Sequence, residues 1–119
     1  MKALLVKPGR APMRINIEDS CEKIRKILGG RFEEVRPYED DVAFLCNEMG
    51  KFIGMPLNRA LRTPDGKVWD IIAGPFLVFG APLDSEVYAD LTEEQMVRYE
   101  QLLSKREDFS DLSKIQWAN

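Results

Sequence analysis

The chain contains no histidine. That removes Ser-His-Asp and Cys-His nucleophile pairs, a His-ligated zinc and a His general base. An enzyme built on this chain would have to work with carboxylates, lysine, arginine, tyrosine or cysteine. Cysteine is scarce too: Cys21 and Cys46 have no metal-type spacing, and both read as buried free thiols, one in a helix and one in a strand. Long apolar runs are missing. The opening MKALLVKPG is interrupted by Lys7 and Pro8 before a signal-peptide core or a membrane span could form, and no longer run follows, so the cytoplasm is the expected location. There is no internal repeat, no low-complexity tract and no glycine-rich phosphate loop, since GGRF and AGPFLVFG lack the spacing and the strand-to-helix context of a nucleotide fingerprint.

A basic excess is absent as well. The net charge of -3 argues against a nucleic-acid partner, because a phosphate backbone is met by a basic face. The charge is uneven: residues 1–83 carry 13 basic and 11 acidic groups, and residues 84–119 carry 4 and 9. The acidic end reads as a solvated helix and tail, too weakly charged for a DNA-mimicking decoy. The cluster Glu39, Asp40, Asp41 reads as a polar turn, because three adjacent acids on an extended chain point different ways. No metal and no cofactor is expected.

What is present is one domain's worth of chain: 119 residues, 45% hydrophobic and 31% charged, enough to bury roughly two thirds of the unfolded surface in a single core. KALLV and the alternating MRINIED predict a hairpin. Asp19 is placed to cap a helix with Glu22 completing a capping box, Cys21, Ile24, Ile27 and Leu28 facing inward, and Gly29-Gly30 as the stop. RFEEVRPYED reads as a strand with Phe32 and Val35 facing inward. Val42 to Cys46, apolar at every position, predicts a strand buried on both faces, with NEMG turning into a partner strand KFI. PLNRAL reads as one helical turn with Leu57 and Leu61 facing in. TPDG is a turn that feeds KVWDII, in which Val68, Asp70 and Ile72 share one face. Phe76 to Phe79 is a further buried strand, its flanking glycines allowing a bulge or a close backbone approach. The best-marked helix start is Thr92, with Gln95 three residues on and Leu91 stapled to Met96. The expected fold is α+β, a mostly antiparallel sheet of five to seven strands with two helices packed on it. It spans residues 1–104, and residues 105–119 form a tail whose Phe109, Leu112, Ile115 and Trp117 either pack back or contact a partner.

The run LCNEMGKFIGMPLNRAL, preceded by MKALLVKPG and followed by DIIAGPFLVFGAPLDSEVYADLTEEQ, resembles a family of small proteins catalogued as a domain of unknown function and encoded by phages, plasmids and integrative elements of Firmicutes and other gut bacteria. The likeness covers most of residues 1–97. It implies a mobile-element origin and carries no activity and no site residues with it.

The functional expectation is a non-enzymatic binding protein that modulates host or defence functions, its partner a host or phage protein or a small anionic ligand. For an anion, Arg59 is the strongest donor, since its planar fork can hold a phosphate or carboxylate bidentately, with Asn58 and Asn47 adding amide hydrogen bonds. The competing reading is structural, with Asn58 capping the turn and Arg59 or Arg62 paired with Asp70, an acid between two apolar neighbours. Two other classes stay open: a carboxylate enzyme using Glu48 and Asp70, and a phage assembly factor that docks through the C-terminal aromatics. Homo-oligomerisation stays open as well.

Overall fold

The structure, a computed structural model, describes residues 1–119. In chain order the elements are β1 (Lys2–Val6), β2 (Met13–Asn16), α1 (Cys21–Leu28), β3 (Phe32–Val35), β4 (Val42–Asn47), β5 (Leu57–Arg62), β6 (Val68–Ala73), β7 (Phe76–Gly80), α2 (Glu93–Leu102) and a short 3-10 turn, Leu112–Lys114. The fold is α+β. Five strands form one sheet in the order β2-β1-β7-β4-β3, every neighbour antiparallel, while β5 and β6 make a separate ribbon.

The fully apolar strands lie at the centre because both of their faces are covered. Val78 stands opposite Leu4 and Phe44, and Leu77 opposite Leu5 and Leu45, so alternate residues of β1, β7 and β4 feed opposite sides. On one side Leu4, Val6, Phe44, Phe76 and Val78 pack with Met96 and Tyr99 of α2 and with Leu61 and Ile72 of the ribbon. On the other, Ala3, Leu5, Leu45, Leu77 and Phe79 pack with Ile24 and Leu28 of α1. Phe44 stacks on Phe76 and meets Tyr99 edge-on. No helix is long and apolar enough to cross a membrane.

Local signals fixed several boundaries. The capping box of α2 forms with Thr92 and Gln95, and Gly29 ends α1 in the left-handed conformation. Four expectations are corrected. The cap of α1 is Ser20, not Asp19: its hydroxyl accepts the Lys23 amide at 3.4 Å, which puts Cys21 at the exposed start of the helix. KFI is not a strand. The Asn47 side chain takes the Met49 amide, and the bonds Ile53 N–H to Met49 O and Met55 N–H to Gly50 O curl residues 48–54 into turns. Phe52 and Ile53 are left 83% and 60% exposed, and β4 pairs with β3 and β7 instead. PLNRAL is strand β5, its turn-sized helical pattern overruled by pairing with β6 across Thr63–Lys67. Finally, irregular register at Asn58 and again opposite Trp69 shifts the alternation of the ribbon. Val68 therefore packs with Ala60 and Ile71 in a small outer cluster, while Ile72 enters the main core.

The segment after α2 lies along this outer cluster. Phe109 and Ile115 pack against it, Val68 N–H donates to Gln116 O, and Ala118 N–H donates to Val68 O. Glu107 accepts the Ala60 amide at 2.8 Å and pairs with Arg62 at 2.6 Å.

Candidate functional site

Asn58 and Arg59 are both 1% exposed, so the pair that the sequence offered to a ligand lies inside the molecule. The register irregularity next to Asn58 turns both side chains inward. The Asn58 amide nitrogen donates to Val6 O at 2.9 Å and Gly74 O at 2.8 Å, and its oxygen accepts from Arg59 Nη1 at 2.8 Å. Arg59 then spends its remaining donors on carbonyls: Nε and Nη2 on Leu103 O at 3.2 and 3.0 Å, Nη2 on Arg10 O at 2.6 Å, and Nη1 on Asn58 O at 3.3 Å. All five N–H groups of the fork are used, and none is left for a ligand. Leu103 is the C-cap of α2, so the guanidinium also sits at the negative end of that helix. Burial pushes the Arg59 pKa below its ordinary value, with Glu107 acting in the opposite direction.

The other candidates have structural partners too. Asn47 donates to Leu28 O at 3.0 Å and so caps the C-terminus of α1, as Arg59 does for α2. Asp70 does not meet Arg59 or Arg62. It stands opposite Leu61 in the ribbon and pairs with Lys51 from the 48–54 turns at 2.6 Å. Glu48 is exposed beside those turns, and no hydrogen bond or ion pair joins it to Asp70. Asp40, from the acidic run, is tied to Arg98 and the Tyr99 hydroxyl. Burial, reinforced by Glu33 and Asp70, pushes the Cys46 thiol up to about 12, so it is no nucleophile at neutral pH.

A cavity of about 630 Å³ lies elsewhere, as a groove behind the β1–β2 loop. Its floor is Leu5, Met13 and Ile27, contributed by β1, β2 and α1, and its walls include Pro8, Pro56 and Pro75. Its only charged lining groups are Lys7 and Arg10, both exposed and neither in an ion pair. The turn bond from Arg10 N–H to Lys7 O, at 3.1 Å, puts the two side chains on one loop. Asn58 and Arg59 stand directly behind this groove. The carbonyls they hold belong to Val6, which precedes Lys7, to Gly74, which precedes Pro75, and to Arg10 itself. The buried pair is thus a brace for three parts of the groove wall, not its contact surface.

Sequence reasoning missed Lys7 and Arg10 because KPG and RAP read only as turn punctuation. A signal was available: residues 1–17 contain Lys2, Lys7, Arg10 and Arg14 and no acid at all. Compared with known proteins, residues 1–104 match the family described as Domain of unknown function (DUF3846). No curated protein and no solved structure matches the chain.

Proposed function

We propose that this chain, which belongs to the DUF3846 family, is a non-catalytic binding protein whose ligand is a small anion seated in the groove behind the β1–β2 loop. The observation that carries this reading is the lining of that groove, where two cations without ion-pair partners border an apolar floor and no carboxylate, hydroxyl or thiol lines it. Such a site has charge and shape to hold a ligand, and its one side chain of a type that acts as nucleophile or base, Lys7, is exposed on the loop with no acid or base beside it in the lining. With the mobile-element origin that the sequence resemblance implies, the role is a cytoplasmic one in which a phage- or plasmid-encoded protein sequesters or senses a host anion.

A thermal-shift screen of the full chain tests this, using nucleotides, cyclic dinucleotides, sugar phosphates and carboxylates. At least one anion stabilises the protein, by about 2.7 kcal/mol when present at a hundred times its dissociation constant, and the Lys7→Ala/Arg10→Ala double variant abolishes the shift. A screen in which no anion stabilises the protein sinks the reading. A protein partner is the second reading, supported by Phe52 and Ile53 standing out from the 48–54 turns. Affinity purification from infected host cells, repeated with Phe52→Ser/Ile53→Ser, separates the two: a partner lost with that variant and retained with the Lys7/Arg10 variant favours the turns.

A further inference from the structure

We infer that the ligand of this groove is an aliphatic chain ending in one carboxylate. The inference rests on the binding reading above and narrows it by what the groove lacks. No aromatic ring lines it. A nucleobase would find nothing to stack on, although base–aromatic stacking is a main source of affinity where bases are held. No side-chain amide, hydroxyl or carboxylate lines it either, so sugar hydroxyls and base edges would lose water without gaining partners, at a cost for each buried group left unpaired.

The backbone offers little in compensation. Three wall positions are proline, which has no N–H to donate. The carbonyls of Val6, Gly74 and Arg10 are already engaged from behind by Asn58 and Arg59. The larger part of what remains is apolar surface, from Leu5, Met13, Ile27 and the prolines, leading to Lys7 and Arg10 on the overhanging loop. A methylene chain displaces water from that floor without leaving a polar group unpaired. Its carboxylate meets two cations that have no other ion-pair partner. The volume, about 630 Å³, is ordinary for a small-molecule site.

The test is binding of hexanoate, octanoate and decanoate to the full-length protein by calorimetry, with octylamine and AMP as controls and the methyl resonances of Leu5, Met13 and Ile27 as the reporter of location. Affinity rises with each methylene by up to about fourfold, the limit set by full burial of a CH₂ group. Octylamine binds at least tenfold more weakly than octanoate, because it brings a cation to Lys7 and Arg10. Lys7→Ala and Arg10→Ala each weaken binding by up to about fivefold and leave the methylene increment unchanged. Ile27→Glu, which puts a carboxylate on the groove floor at a partly buried position beside the core, abolishes binding, and an unchanged melting transition and Leu5 and Met13 methyl spectrum show that the variant is folded. Affinity independent of chain length, equal binding of octylamine, or perturbation of methyls outside the groove each overturns the inference. If AMP binds in a Lys7- and Arg10-dependent way and octanoate does not, the aliphatic ligand falls and the binding reading stands; if no anion binds, both fall.

Discussion

Arg59 carries a charge into a site where no carboxylate touches it, and five carbonyl and amide contacts replace the water it lost. Replacing it with leucine leaves Arg10 O, Leu103 O and Asn58 Oδ1 without a donor. Each buried acceptor so orphaned costs about 1–3 kcal/mol, so Arg59→Leu loses about 3 kcal/mol or more in urea unfolding. Arg59→Lys keeps the charge but cannot span the same acceptors, and it falls between the two. A loss under about 1 kcal/mol for the leucine variant would show that water takes over the carbonyls and that the brace is dispensable. The sequence made Asn58-Arg59 conspicuous as a polar pair between Leu57 and Ala60. It gave no access to the destination of the pair, since Val6, Arg10 and Leu103 lie 44 to 52 residues away in the chain. Asp70, an acid between two apolar neighbours, was the partner the sequence offered, but the ribbon register sets it against Leu61, and Lys51 reaches it first.

At the level of elements, legibility followed the strength of the local signal. β4 and β7 are unbroken apolar runs, and a run of strand length has no solvent face to present, so a central position was the consistent reading. The start of α2 was legible because a capping box is a contact between residues three apart. PLNRAL failed for the opposite reason: with Leu57 and Leu61 four apart, helix and strand place both leucines on one face equally well, and only the pairing with β6 decides between them. The glycine flanking β7 was read as permitting close approach, and the geometry gives that a consequence. A Cβ on Gly80 would stand 2.6 Å from Asp90 O and 2.8 Å from Ala89 O, both backbone atoms. Gly80→Ala forces the 89–90 segment off the sheet and costs about 1–3 kcal/mol, read as a lowered denaturation midpoint. An unchanged midpoint would mean that this segment yields without breaking the bond from Ala89 N–H to Gly80 O.

For the whole molecule, ionised side chains that join distant elements set the dependence of stability on pH. Glu34 is held below the ordinary carboxylate range chiefly by the Tyr88 hydroxyl, and Glu100 by Arg14. Burial acts to raise Asp40, but the Tyr99 hydroxyl, the Asp41 amide and Arg98 outweigh it and leave its pKa lowered. A carboxylate with a depressed folded pKa binds its proton more weakly when folded, so its contribution is complete above the unfolded value, about 4, and is lost as pH falls through the folded one. Tyr88 and Tyr99 are displaced upward, first by burial and then by those same carboxylates. Their contribution is complete below about pH 10 and declines as pH rises beyond it. Stability measured by urea unfolding is therefore flat from about pH 5 to 8 and falls on both sides, the alkaline fall opening with the buried Cys46 thiol, whose pKa is also raised, and Tyr99→Phe lessens both limbs. A variant that left the two limbs unchanged would remove the Tyr99–Asp40 pair as their cause.

The sequence by itself determined an α+β fold, the buried strands β4 and β7, the start of α2, the glycine stop of α1 and the turn at Thr63–Lys67, all of which are decided by residues within one element's length of each other. The tertiary structure decided where Asn47, Asn58 and Arg59 spend their hydrogen bonds, which face Val68 takes, and that the exposed cations over an apolar groove are Lys7 and Arg10. Those outcomes depend on strand order and on which helix end meets which loop. Periodicity and capping act over a few residues, whereas a buried donor goes to whichever unpaired carbonyl the packed elements place within 3 Å, however far off it lies in the chain.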